Sequence, residues 1–288
     1  MFEIVTDSSA NLTDAQIDRY GLSILSLTVR VEDKEYVSYV KGVKSDIKPI
    51  YDMMREKKAV ETSAANPGQC RDIFEGLLKA GKDLLYLGFS SGLSGTYQTA
   101  SMQLEDLKEQ YPDRQIYAVD TLAASMGEGL LVWHACQLRE QGQSIQDVYE
   151  WVKQNRLHLC HWFTVDDLFH LKRGGRISAA TALAGTMLGI KPVMHVDDEG
   201  HLVPVGKVKG RKASLNALVD HMAETAINPA EQTIFISHGD CLEDAEYVAR
   251  QVRERLGVKD VVINYVDPVI GAHSGPGTVA LFFLGTKR

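Results

Sequence analysis

Leu84-Leu85-Tyr86-Leu87-Gly88-Phe89 runs directly into Ser90-Ser91-Gly92-Leu93-Ser94-Gly95-Thr96-Tyr97, and this stretch decides the fold. Its apolar run predicts a strand, its two later glycines and four hydroxyl residues a turn, and Thr96–Gln110 a helix. A strand feeding a helix through a tight turn is one βα unit. The same alternation extends outward on both sides. Before it come a strand at Phe2–Thr6, a helix at Ala15–Tyr20 behind Ser8, Ser9 or Thr13 as cap, and a strand over Leu22–Val31. Helices are expected near Ile47–Lys57 and Pro67–Ala80, the latter with proline in its first turn. After it come strand Gln115–Val119 and helices Ser125–Glu140 and Ile145–Asn155.

The second half is less regular. Strands are expected at Leu157–Phe163, Thr233–Ser237, Asp260–Val266 and Val279–Leu284, with a two-stranded patch across Lys191–Lys209 turned at Asp197–Gly200. Helices are expected at Val165–Lys172, Ser178–Leu188, Ala213–Ala226 and Leu242–Leu256. The pattern predicts two α/β domains, 1–158 with a Rossmann-like parallel sheet and 159–288 with a mixed sheet. Ligands in such folds favour the carboxyl ends of strands and the junctions between domains.

Composition narrows the function. The 288 residues carry 31 Lys and Arg against 38 Asp and Glu, a formal net charge of −7, which disfavours nucleic-acid binding. Yet Lys172–Lys212 holds eight basic residues and three acidic ones, an island suited to one anionic ligand or partner, or else a solvated face. The longest apolar run, Val279–Leu284, is far short of the roughly 18 residues of a membrane span. With no basic leader after Met1, a cytoplasmic location is expected. Cys70, Cys136, Cys160 and Cys241 are isolated, so neither structural zinc nor a disulfide framework is expected, and no bound metal.

Three motifs mimic chemistry. Gly76 to Asp83 nearly spells a P-loop but ends in Asp83, and it follows a helix instead of a strand. Gly275-Pro276-Gly277 leaves too little chain for the acidic ribose partner of a dinucleotide fingerprint. Gly88-Phe89-Ser90-Ser91-Gly92 has the spacing of a nucleophile elbow, with Asp267 and His273 as conceivable partners, and keeps a serine hydrolase (esterase) acting through Ser90 open.

Other segments fit a binding site. The Ser90–Tyr97 turn combines hydroxyls with free N–H groups at a helix start, a ready anion site, although a simple cap explains any one of its serines. Thr62-Ser63 offers a second hydroxyl pair. Arg173-Gly174-Gly175-Arg176 sets two guanidinium groups around a flexible turn, either to grip an anion or to end a helix. Gly271 to Gly277 places His273 among glycines that admit close backbone approach, and Ala179–Ile190 is a small, apolar helical stretch that packs tightly or leaves room for a thin apolar ligand.

Taken in order, these segments resemble the DegV family of bacterial fatty-acid-binding proteins. The resemblance is carried by Ile4-Val5-Thr6-Asp7-Ser8-Ser9, Thr62-Ser63 with Pro67, Ser90 to Tyr97, Val119-Asp120, Asp166-Asp167-Leu168, Leu171 to Ser178, Ile190-Lys191-Pro192 and Gly271 to Gly277. It implies two α/β domains with a ligand tunnel between or within them, holding a long-chain fatty acid such as palmitate, stearate or oleate and no other cofactor. It further implies a non-catalytic subunit that presents the acyl carboxylate to a separate, ATP-binding fatty acid kinase subunit, so that acyl phosphate feeds phospholipid synthesis. By motif, Thr62 and Ser94 would bind the carboxylate, with Ser91 nearby and His273 as a further donor. Arg173, Arg176 and Arg211 would meet the kinase, and any membrane contact would be transient. A lipid sensor working without a kinase is the other non-catalytic alternative. Two departures from the family pattern stand out, Ala64-Ala65 in place of Gln-Pro and Tyr36–Gly42 in an early loop usually rich in Asp and Gly.

Overall fold

The computed structural model describes residues 2–44, 46–178 and 189–288. The expected helix at Ser178–Leu188 and most of the Ala179–Ile190 stretch lie outside them. In chain order the elements are β1 (Glu3–Asp7), α1 (Asp14–Tyr20), β2 (Ser23–Leu25), β3 (Thr28–Val31), β4 (Lys34–Val37), α2 (Lys48–Arg55), β5 (Val60–Ser63), α3 (Pro67–Lys79), β6 (Leu84–Gly88), α4 (Thr96–Gln110) and β7 (Ile116–Asp120). They continue with α5 (Met126–Glu140), α6 (Ile145–Asn155), β8 (Leu159–Thr164), α7 (Leu168–Arg173), β9 (Ile190–Val196), β10 (Leu202–Lys209), α8 (Arg211–Thr225), β11 (Thr233–His238), α9 (Leu242–Leu256), β12 (Asp260–Tyr265), α10 (Pro268–Ser274) and β13 (Val279–Leu284).

These strands form a parallel sheet in the order β2-β1-β6-β7, a mixed sheet in the order β10-β9-β8-β13-β11-β12, and a small antiparallel sheet β4-β3-β5. In the mixed sheet β11 and β12 run parallel and the other pairs antiparallel. This is the α/β architecture of one parallel and one mixed sheet expected from the sequence, with the small antiparallel sheet added.

Side-chain alternation explains the layering. Leu84 and Tyr86 pack with α3 and α4, whereas Leu85 and Leu87 point the other way, into the core that holds α5 and α6. Likewise Leu159, Phe163, Ala280 and Phe282 of the mixed sheet face α5, while Cys160, Trp162, Leu281 and Phe283 face α8 and α9. Helix α5 is therefore sandwiched between the two large sheets. Its glycines make that possible. A Cβ on Gly127 would lie 2.3 Å from His161 Nε2, and one on Gly129 would lie 2.3 Å from the Ala10 carbonyl oxygen.

One expectation is corrected. Leu22–Val31 is two strands in two different sheets. The break falls at Ser26-Leu27, whose N–H groups bond to Gln69 Oε1 (3.1 Å) and Ser8 Oγ (3.0 Å) instead of a neighbouring strand. The segment around His273, where the sequence pattern places no element, is a helix: Pro268 occupies the first turn and Asp267 caps it through Val269 N at 2.7 Å.

Beneath the junction of β1 and α5 lies a buried carboxyl pair. Thr6 Oγ1 donates to Glu128 Oε1 (3.0 Å), Ser9 Oγ lies 2.9 Å from Glu128 Oε2, and Ser9 Oγ also bonds Asp7 Oδ1. Phe89 N donates to Asp7 Oδ2 at 3.0 Å and Tyr86 Oη at 3.3 Å. One hydroxyl proton cannot serve two carboxylates, so one carboxyl must bring its own. Burial pushes both groups upward, Glu128 well above the usual carboxylate range. Glu128 is the protonated member: it donates to Ser9, which donates to Asp7. Glu128→Gln, which keeps a donor and an acceptor, should therefore change stability by less than about 1 kcal/mol. Asp7→Asn turns an N–H toward Ser9 N or Phe89 N and should cost about 1–3 kcal/mol, read from urea denaturation midpoints.

Candidate functional site

A cavity of about 930 Å³, its open mouth included, lies between the small sheet, the Phe89–Gly95 turn and the α5-facing side of the mixed sheet. Most of its wall is apolar, with Leu27, Phe89, Ala124, Phe163, Val196, Leu202, Val269 and Phe282 among the residues that form it. Two of these walls hang from the end of β1, since Asp7 holds Phe89 N and Ser8 holds Leu27 N.

Polar groups gather at one end. Thr62, at the end of β5, and His273, on α10, are 211 positions apart in sequence, yet Thr62 Oγ1 sits 3.0 Å from His273 Nε2. Ser94 and Arg176 line the same cavity. Ser94 Oγ lies 2.9 Å from Thr96 Oγ1 and accepts from Thr96 N at 3.2 Å, so it caps α4 while facing the cavity. Arg176 is tied back by Nε to the Leu93 carbonyl (3.2 Å) and by NH1 to the Gly174 carbonyl (2.5 Å). Burial, reinforced by Arg176 and Arg173, holds His273 down at about 4. The imidazole is neutral at ordinary pH, and its buried Nδ1 has no hydrogen-bond partner.

Of the glycines in the Arg173–Arg176 segment, Gly174 serves packing and Gly175 the backbone turn. A Cβ on Gly174 would lie 2.1 Å from His273 Nδ1, and Gly175 takes a φ of +72°. A hydrogen-bonding, partly cationic end on an otherwise apolar cavity is suited to a carboxylate with an apolar tail.

Not every sequence candidate sits there. Ser91 is exposed, and its N–H bonds Asp120 Oδ1 at 3.2 Å. Arg173 is exposed, with NH2 3.1 Å from His170 Nδ1. Arg211 is engaged within the chain, by Nε with Asp244 (2.9 Å), by NH2 with the Gly277 carbonyl (2.6 Å), and 3.6 Å from Asp166. Ser90 is fully buried; its hydroxyl donates to the Gly200 carbonyl at 2.9 Å and accepts from Gly92 N at 3.2 Å. Asp267 spends an oxygen capping α10, so Ser90, His273 and Asp267 do not assemble as a triad. Among the described residues no group of three or more His, Cys, Asp or Glu is placed to hold a metal ion, and no helix is long and apolar enough to cross a membrane.

Sequence reasoning missed the inner wall, above all His161, Ser125 and Ser237. The signal available was a histidine inside the otherwise apolar run Leu159 to Phe163.

Comparison with known proteins bears directly on this geometry. A family model described as an uncharacterised protein of the DegV family matches residues 1–286. A DegV domain-containing protein of Clostridium perfringens is 46% identical over 289 residues, covering 100% of this chain and 98% of its own. Among solved structures, one reporting fatty acid binding by a DegV family protein from Thermus thermophilus is 30% identical, with a TM-score of 0.85 over 99% of each chain. A DegV lipid binding protein from Thermotoga maritima is 26% identical, with a TM-score of 0.87 over 100% of both.

The depressed His273 makes a prediction with a definite sign. Its folded value of about 4 lies below the ordinary 6.5, so the folded state takes up its proton later than the unfolded one. The corresponding stability is complete above pH 6.5 and is lost as pH falls toward 4. His273→Gln removes that contribution, so its unfolding free energy should fall less steeply than the parent's across this window, measured by denaturant titration at each pH.

Proposed function

The chain belongs to the DegV family, and from that premise we propose that it binds a long-chain fatty acid and presents the carboxylate to a separate ATP-using kinase subunit. The supporting observation is a mostly apolar cavity whose polar end gathers Thr62, Ser94 and a neutral His273. Thr62 and Ser94 donate to the carboxylate, and His273 gives its one N–H to Thr62 Oγ1, which turns the Thr62 proton toward the ligand.

Magnitudes divide the labour. A chain of about 15 methylenes gains roughly 0.8 kcal/mol each on burial, of order 12 kcal/mol before several kcal/mol of association cost. Charge-assisted hydrogen bonds add about 1.5–3 kcal/mol each, offset by desolvation of the carboxylate. The tail therefore dominates affinity, and the hydroxyls decide where the carboxylate sits.

The polypeptide alone catalyses nothing in this reading: Ser90 is committed to Gly200. Arg173, exposed beside the polar end, is the residue best placed to meet the kinase, and Arg176 contributes from the wall. Arg211 acts indirectly, by holding the Gly277 turn against α9. Acyl phosphate formed there would feed phospholipid synthesis.

The reading is tested by mass spectrometry of organic extracts from the purified protein, where near-stoichiometric long-chain fatty acid is expected. A protein that stays empty after incubation with fatty acid overturns it. Thr62→Ala and Ser94→Ala should loosen retention only a few-fold while lowering kinase-dependent acyl phosphate formation by about tenfold or more. Arg173→Ala should lower that turnover and leave retention unchanged. Acyl phosphate formation that needs the added kinase separates this function from a kinase-independent sensor.

A further inference from the structure

The outermost hairpin of the mixed sheet, β9 with β10, supplies Val196 and Leu202 to the cavity wall. The ladder that joins it to β8 covers two residue pairs, Trp162 with His195 and Phe163 with Met194, against six between β8 and β13. From Val196 to Leu202 the hairpin has no registered pair with β8, and this splayed end is where it borders the cavity. The turn itself is firm. Asp197 Oδ1 accepts from Glu199 N (3.1 Å) and His201 N (2.8 Å), and the Asp197 carbonyl accepts from Gly200 N (3.0 Å). A unit that is firm within but unpaired on one side keeps its place by what holds its tip.

One side chain spans the gap where the ladder stops. Arg288 is half-buried, and its Nε donates to the Leu159 carbonyl at 3.1 Å. Its NH1 donates to the carbonyls of Leu122 (2.8 Å) and Asp197 (3.0 Å), and its NH2 to that of Arg156. A planar guanidinium reaches four carbonyls on four segments at once, which a lysine ammonium cannot. Burial draws the group down to about 10, so it stays charged and each bond is charge-assisted. Three of the four segments run on into the cavity wall: Leu122 to Ala124 and Ser125, Leu159 to His161 and Phe163, and Asp197 back to Val196. The turn has a second tie, since Ser90 Oγ donates to the Gly200 carbonyl at 2.9 Å. There the backbones meet so closely that a Cβ on Gly92 would lie 2.9 Å from the Glu199 carbonyl oxygen.

We propose that Arg288 is a positioning residue for the cavity: its guanidinium latches the hairpin turn onto the Leu122–Ser125 loop and so sets how slowly a bound ligand leaves. Arg288 is not among the lining residues and acts through the segments it holds. The proposal rests on the fatty-acid reading for what is retained, and on the hydrogen bonds alone for the latch.

The test is a release rate. Protein loaded with deuterated stearate is mixed with excess albumin, and the lipid left on it is followed by mass spectrometry. Arg288→Met, which keeps the stem and loses every donor, should release stearate about tenfold or more faster than the parent, the worth of at least one charge-assisted hydrogen bond. Arg288→Lys, which keeps the charge without the fork, should fall between them and carries the comparison if Arg288→Met does not fold. Each is set against Val248→Ala, which weakens the core on the far face of the mixed sheet, at urea concentrations that equalise the unfolding free energy. Release from the Arg288 variants no faster than from Val248→Ala overturns the proposal and leaves the fatty-acid reading standing. If the parent retains no acyl chain, that reading falls, and hydrogen exchange of the lipid-free protein judges the latch. The latch then stands only if the Arg288 variant speeds exchange at the Gly200 and His201 N–H groups more than in α9.

Discussion

One protonated carboxyl, Glu128, bridged through Ser9 to Asp7, fixes helix α5 against strand β1. Asp7 ends β1, Glu128 begins α5, and Ser9 stands between them. Two ionised carboxylates at this depth would repel each other and forgo their hydration. The chain Thr6 to Glu128, Glu128 to Ser9 and Ser9 to Asp7 works only with Glu128 protonated. It then leaves Asp7 as the acceptor for Phe89 N and Tyr86 Oη. Helix α5, which the two large sheets share, is thereby fixed to the strand from which the cavity walls Leu27 and Phe89 hang. The lining of the site follows from this network, since a shift of β1 against α5 would move both walls together.

The cavity exists because the facing surfaces do not close. Gly127 and Gly129 let α5 approach the mixed sheet on one side and Ala10 on the other, while Phe163, Ala280 and Phe282 recede beneath the small antiparallel sheet. Helix α10 then brings His273 across to Thr62 from the other end of the chain. Here again a glycine fixes the distance, because Tyr51 presses its hydroxyl against Gly271, where a Cβ would lie 2.4 Å away.

The elements that were legible in the sequence are those whose signal is local. The strand, turn and helix from Leu84 to Gln110 declare themselves by apolar run, hydroxyl-rich turn and helical length, and Val279–Leu284 by unbroken hydrophobicity. The split of Leu22–Val31 was not legible. The residues that capture the Ser26 and Leu27 N–H groups, Gln69 and Ser8, are distant in sequence, and apolar alternation continues across the break. Helix α10 was hidden by its glycines, although Asp267-Pro268 is a helix-start signature. In the site, Ser94 was visible as part of a turn. The pairing of Thr62 with His273 came only from family resemblance, since no spacing rule connects residues 211 apart. Arg211 shows the converse: its charge marks a basic island, but local acids Asp244 and Asp166 already occupy it. His161 was invisible for a third reason. A histidine in a strand is ordinarily just a core residue, and only its place on the cavity wall distinguishes it.

The neutrality of His273 has a chemical consequence for the proposed function. A carboxylate that is to attack a phosphoryl group must keep its electron density, and a full imidazolium partner would draw on it and lower its nucleophilicity. A neutral imidazole orients Thr62, whose hydroxyl together with that of Ser94 fixes the oxygen atoms without that loss. Desolvation alone would depress the histidine, but Arg176 and Arg173 depress it further, so the arginines near the polar end do two things. They supply the positive field that draws an anionic head group to the mouth, and they keep the proton off the histidine once it is there. Arg176, held back by the Leu93 and Gly174 carbonyls, is restrained from closing into a bidentate clamp on the ligand. In the proposed function the polar end thus holds a carboxylate in place while leaving it reactive, as a subunit that delivers its ligand to another enzyme requires.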